Sequence, residues 1–244
     1  MKVQKDRVTA LYENHIYGRG YVENQIETID KYSDQSVLLA GCGAGRRLFN
    51  LYFYGSDVTA VDRSTSAIEF IKEKFEQLDR EPPTLINDDL AEVELADNKY
   101  DYILCHGVLH HTVNPVKILE NLKTALKPEG VIELSVYHSQ SFIRYERWLI
   151  EKVQSITKFG KILPEQFKQQ IHWWDTYENP VWKTYSRDEA ESMVSEADLD
   201  VVDTEVMGPI LGKAAHALTP PLVETGIKRL FPDYRWYVRI DASK

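Results

Sequence analysis

The sequence predicts an α/β protein whose parallel sheet carries helices on both faces. Three observations lead there. An apolar run of strand length, Val37-Leu-Leu-Ala40, empties into glycines at Gly41, Gly43 and Gly45. A second run, Val58-Thr-Ala-Val61, ends in the carboxylate of Asp62. Strand-length apolar runs then alternate with helix-length amphipathic stretches, the pattern of parallel strands joined by crossovers. The first two features form a nucleotide-binding βαβ unit. Its glycines let the chain turn sharply and let a ligand approach the main chain, and Asp62 stands where a carboxylate can bind both ribose hydroxyls. The ligand is expected to contain an adenosine.

Strands are expected near 37–40, 57–62, 84–87, 101–106 and 131–137, with helices at about 45–53, 65–79 and 114–126. Asn114-Pro115 reads as a helix start, and Pro128 with Gly130 as a helix stop and turn before the strand at 131. Residues 9–31 read as helix interrupted at Gly18 and Gly20. After His138 comes a long amphipathic stretch, Phe142 to Phe159, and then an aromatic-dense segment from Gln170 to Tyr185. Ser186-Arg-Asp-Glu189 is a capping box that opens a helix running to about Ala197. Leu199 to Met207 and Arg235 to Asp241 read as two final strands, with a connection carrying one short helix between Gly208 and Pro232. No internal repeat is present.

At 244 residues, with 43% hydrophobic and 27% charged content, the chain suits one soluble globular domain with an elaboration. The N-terminal residues carry no apolar signal core, and no run is long enough to span a membrane, so the cytoplasm is the expected compartment. The two cysteines, Cys42 and Cys105, fall inside ligand-site motifs and are expected to be reduced thiols. With 38 acidic against 29 basic residues and no dense basic tract, nucleic acid is a disfavoured partner and a small molecule a favoured one. The sequence leaves the oligomeric state open. His106 and His110 stand four apart, but no paired carboxylate or CxxC accompanies them, so no metal is expected.

Which adenosine ligand is meant turns on Arg46. A dinucleotide fingerprint wants glycine or alanine there, which disfavours a nicotinamide oxidoreductase. The Gly-x-Gly-x-Gly form, the segment from Asp89 to Asp101, Tyr100-Asp-Tyr-Ile-Leu-Cys-His-Gly-Val-Leu-His-His111 and Leu126-Lys-Pro-Glu-Gly-Val-Ile-Glu-Leu-Ser-Val-Tyr-His138 resemble the class I S-adenosylmethionine (SAM) dependent methyltransferases. The resemblance covers residues 36–138. It implies a Rossmann-like, doubly wound, seven-stranded mixed sheet of order 3-2-1-4-5-7-6, its last two strands antiparallel, with a helical insertion after strand five. The division it implies is a lid over 1–35, a SAM-binding core over 36–138, a substrate-capping insertion over 139–185 and C-terminal helix and strands over 186–244, all within one domain. Many members carry an acidic residue where Leu39 stands, so the ammonium of SAM must be held by other means here.

The resemblance places Gly41, Cys42, Gly43, Gly45, Asp62, Arg63, Asp89, Leu90, Cys105 and His106 at the cofactor, Asp89 against the adenine amine. Arg19 is a candidate partner for the SAM carboxylate, and Tyr17 and Tyr21 are either lid residues or the outer face of an N-terminal helix. Methyl transfer from SAM to an O, N or C nucleophile of a small molecule is the implied reaction. Methylation of RNA or protein, or a silent SAM-binding partner subunit, are the alternatives. Ligand sites in open α/β sheets lie at the carboxyl ends of the strands, which makes His110, Tyr137, Trp173, Trp174 and Tyr177 candidate acceptor contacts. An O or N acceptor must lose a proton, and histidine, with an ordinary pKa of about 6.5, suits that work. His111 is the first candidate base and His138 the second, with one of His110 and His111 expected to pack or cap.

Overall fold

The computed structural model describes residues 30–141, 181–207, 234 and 236–244. A 3-10 turn at Asp30–Tyr32 leads into β1 (Ser36–Ala40), α1 (Arg46–Phe53), β2 (Asp57–Val61), α2 (Thr65–Gln77), β3 (Thr84–Ile86) and β4 (Tyr100–His106). A second 3-10 turn, Leu109–His111, precedes α3 (Pro115–Ala125), β5 (Leu126–Tyr137), α4 (Arg187–Glu196), β6 (Asp200–Met207) and β7 (Tyr237–Ser243). The seven strands form one sheet in the order β3-β2-β1-β4-β5-β7-β6, as expected. β1 to β5 run parallel, and β7 lies antiparallel to both β5 and β6. The N-terminal helix, the stretch from Phe142 to Phe159 and the helix between Gly208 and Pro232 lie outside the described residues.

Local chemistry sets the helix ends. Asn114 Oδ1 accepts the Lys117 N–H at 3.2 Å with Pro115 in the first turn, so Asn-Pro starts α3. Ser186 and Glu189 form the expected reciprocal box on α4.

One connection differs from the sequence reading. Strand five does not wait for a turn at Pro128 and Gly130 but pairs from Leu126, opposite Tyr100, and again from Val131, opposite Tyr102. The Lys127 to Gly130 segment is extra chain in a bulge. Lys127 Nζ grips both oxygens of Asp101 at 2.8 Å, and a Cβ on Gly130 would stand 2.7 Å from Leu126 Cδ1 and 3.0 Å from the Asp101 carbonyl. A side chain at residue 130 would push the bulge off β4.

Two apolar layers sandwich the sheet. Leu38, Ala40, Ile103, Cys105, Leu134, Val136, Val238 and Ile240 face α3 and α4. On the other face Val37, Leu39, Val58, Ala60 and Leu104 pack with Leu48, Phe49, Ile71 and Phe75 of α1 and α2. This second layer stops at β4, and polar side chains continue across the sheet beyond it.

Candidate functional site

A cavity of about 1100 Å³ opens at the carboxyl ends of β1, β2 and β4 and runs over the face of β5 and β7. That lies at the top of the roughly 300–1,000 Å³ range of small-molecule sites.

The cofactor end is shaped by the turn after β1. Gly41 and Gly43 have φ of +81° and +50°, a region L side chains rarely adopt. A Cβ on Gly41 would meet Val108 Cγ2 at 2.3 Å, whereas one on Gly43 would project into open space, so residue 43 leaves the main chain bare toward the cavity. The Asp62 carboxylate is fixed across this turn: Oδ2 accepts the Gly43 N–H at 2.7 Å and Oδ1 the Ser64 N–H at 2.9 Å. Arg63, Asp88, Asp89 and Leu90 complete that wall. Asp89 Oδ1 accepts the Ala91 N–H at 2.9 Å. Gly45 serves packing: as N-cap of α1, a Cβ there would stand 2.8 Å from Ile71 Cγ1 of α2.

Of the residues singled out from sequence, Gly41, Cys42, Gly43, Asp62, Arg63, Asp89, Leu90, His106 and His111 line the one cavity. Cys105 faces the opposite layer and is fully buried among apolar side chains. Burial, with Asp62 second, pushes the Cys42 thiol up to about 12, and burial alone does the same for Cys105. Both therefore remain protonated thiols at neutral pH. His138 is buried beyond the end of β5, away from the cavity lining, and its backbone N–H donates to the Trp236 carbonyl. Tyr17, Arg19, Tyr21, Trp173, Trp174 and Tyr177 lie outside the described residues.

The adjacent histidines hold opposite tautomers. His111 Nδ1 is 3.1 Å from the Val181 carbonyl, and a carbonyl only accepts. Its proton is therefore on Nδ1, and Nε2 keeps a lone pair with no hydrogen-bonding partner among the described residues. His110 Nδ1 accepts the Tyr137 N–H at 3.3 Å, which puts its proton on Nε2. The His110 ring lies against Tyr137, centroids 3.9 Å apart, and Tyr137 stacks in turn on Tyr237 at 5.5 Å. His110 is thus a packing residue.

Burial, with the adjacent His111 ring second, holds the His110 pKa down at about 2. Unfolded, it takes up a proton near 6.5, so between those values the unfolded chain binds more protons and stability falls as the pH drops. The expected slope is about 1.4 kcal/mol per pH unit below 6.5 from this residue. His106 adds in the same direction, its pKa kept well below the ordinary value by burial and then by Arg47, Arg239 and Lys31. Denaturant unfolding at about pH 6.5 and 5.5 checks this, and equal stability at both would contradict it.

The cavity face of β4, β5 and β7 carries groups that sequence reasoning missed. Glu133, only 4% exposed, accepts Lys31 Nζ at 2.6 Å and the Tyr32 hydroxyl at 2.8 Å on Oε1, with Arg239 Nη2 4.0 Å from Oε2. Arg239 is braced by Asp241 at 2.8 Å and Glu205 at 3.0 Å. His106 Nδ1 meets Ser135 Oγ at 3.2 Å. The available signal was the alternation in Ile132-Glu-Leu-Ser-Val-Tyr137, which puts residues 133, 135 and 137 on one face. Among the described residues, no three His, Cys, Asp or Glu side chains are grouped to hold a metal ion.

The profile described as "Methyltransferase domain" matches residues 31–198. The chain belongs to this methyltransferase-domain family. Its likeness to the ubiquinone biosynthesis O-methyltransferase of Coxiella burnetii is 31% identity over 118 residues, 47% of each chain. The chain thus spans about half the length of the curated relatives it matches. Among solved structures, an S-adenosylmethionine dependent methyltransferase from Mesorhizobium loti superposes with a TM-score of 0.62 at 13% identity, over 91% of this chain and 97% of that one. The 1,6-didemethyltoxoflavin-N1-methyltransferase of Burkholderia thailandensis gives 0.54 at 15% identity, over 100% and 88%. At these identities the likeness is one of fold. The methyltransferase-domain family implies SAM, and the residues fit it: a bare main chain at Gly43, a carboxylate at Asp62 and a continuous cavity beyond. In the described residues no helix is long and apolar enough to cross a membrane.

Proposed function

We propose that the protein transfers a methyl group from SAM to a hydroxyl or amine of a small molecule. The observation that carries this is the continuity of one cavity from Gly43 and Asp62 to His106, His111 and Arg239. When bound, SAM supplies an electrophilic methyl on a sulfonium. Asp62 takes the ribose hydroxyls, Asp89 the adenine amine and the Gly41 to Gly43 turn the neighbouring main-chain contacts. Arg46 and Arg47 form the first turn of α1 and line the cavity, although cations at a helix N-terminus oppose its dipole. A carboxylate there offsets that repulsion, which suits the methionine end of the ligand.

The walls hold the two reactants in line and exclude water; such positioning can supply roughly 7–11 kcal/mol of the barrier. His111 Nε2 takes the acceptor proton. The Tyr137 and Tyr237 stack closes the outer end of β5 and β7 behind that histidine.

The test is incubation of the full chain with methyl-labelled SAM and a fractionated metabolite extract, the labelled product being identified by mass spectrometry. A labelled small molecule is the expected result. Label confined to RNA or protein, or tight binding of SAM with no product from any extract, would refute the reading.

A further inference from the structure

β3 is three residues long and stands at the edge of the sheet, beside the strand that ends in Asp62. Its parallel pairing with β2 joins Thr59 to Thr84, Ala60 to Leu85 and Val61 to Ile86. One further main-chain bond follows, from the Asp62 N–H to the Ile86 carbonyl at 3.1 Å. The next rung of a parallel ladder falls on the Asp62 carbonyl. A side chain supplies it: Asn87 Nδ2 donates to that carbonyl at 2.9 Å, while Asn87 Oδ1 accepts the Thr65 hydroxyl at 2.7 Å. A carbonyl only accepts, so the amide nitrogen is the atom that faces Asp62, and Thr65 holds the amide that way round.

We propose that Asn87 is a positioning residue for ribose recognition, extending the ladder by one side-chain rung so that the Asp62 carboxylate is held ready for the two hydroxyls. The proposal rests on the placing of the ribose at Asp62 made above. Asn87 is exposed and stands outside the cavity lining, so its effect passes through Asp62. With it, all four polar groups of Asp62 are engaged: the N–H by Ile86, the carbonyl by Asn87, Oδ2 by the Gly43 N–H and Oδ1 by the Ser64 N–H. The peptide that Asn87 grips is the corner between β2 and α2, two residues before Ser64 caps that helix. Loss of the grip frees this peptide to rotate and lets the carboxylate turn with it. The wall that follows Asn87 is fastened separately, Asp89 Oδ1 accepting the Ala91 N–H at 2.9 Å and the Asp89 carbonyl accepting the Glu92 and Val93 N–H groups at 3.0 and 2.8 Å. The effect of Asn87 is therefore confined to the ribose.

The test is displacement calorimetry on the full chain with S-adenosylhomocysteine and with the analogue lacking both ribose hydroxyls. The wild type should prefer S-adenosylhomocysteine by about tenfold or more. Asn87→Ala should weaken S-adenosylhomocysteine by about three- to tenfold and leave the analogue within about twofold, so that the preference narrows. Asn87→Leu, close in shape but with no donor for the Asp62 carbonyl, should narrow it to the same extent. Because Asn87 is exposed, neither variant disturbs the core, and circular dichroism checks the fold. An equal loss for both ligands would assign Asn87 to the stability of the corner and overturn the inference. Undiminished affinity for S-adenosylhomocysteine in both variants would overturn it too. A wild type that binds the two ligands alike would remove the ribose from Asp62, and the inference with it, while leaving methyl transfer standing.

Discussion

Replacing His111 by Asn is expected to lower kcat by about 10²- to 10⁴-fold and to remove the acidic limb of the kcat–pH profile. The expectation comes from the tautomer. With Nδ1–H committed to the Val181 carbonyl, the neutral ring keeps its lone pair on Nε2, the state a general base needs. His138→Asn is the control, because that side chain is outside the cavity lining. A loss below about tenfold with the limb intact would mean that no proton passes through His111 and that positioning alone sustains the reaction.

Asp62→Ala is expected to weaken SAM by an order of magnitude or more. A carboxylate has about four acceptor sites, and backbone N–H groups of Gly43 and Ser64 use two of them, leaving two for the ribose hydroxyls. Charge-assisted hydrogen bonds contribute about 1.5–3 kcal/mol each, and losing the bond to Gly43 also releases the turn that carries the bare main chain. Calorimetry on folded Asp62→Ala showing undiminished affinity would remove Asp62 from the site.

Much of this was legible in one dimension. Glycine spacing, the carboxylate closing β2, the Asn-Pro start of α3 and the capping box of α4 are local chemistry, written in neighbouring residues. The turn after β1 and the end of β2 are local in the same sense, and the residues named there line one cavity. The polar row across β4, β5 and β7 is not. His106, Ser135 and Arg239 lie more than 100 residues apart from end to end and meet only through the register of three strands. Likewise nothing in His110-His111 says which ring turns inward. That is settled by the Tyr137 N–H and the Val181 carbonyl, main-chain groups with no side-chain signature. Pro128 and Gly130 signalled a break, but whether chain leaves the sheet or bulges within it depends on β4 alongside.

The bulge at residues 127–130 has a bearing on how this site can change over time. A strand obeys parity: shifting it by one residue exchanges its two faces. From Val131 to Tyr137 such a shift would drive Glu133 and Ser135 into the layer of α3 and α4 and bring Leu134 and Val136 to the cavity. Slack chain upstream absorbs a gained or lost residue before parity is fixed at Val131. The fold thereby separates two kinds of variation, letting the link from α3 drift in length while the cavity face of β5 changes by substitution alone.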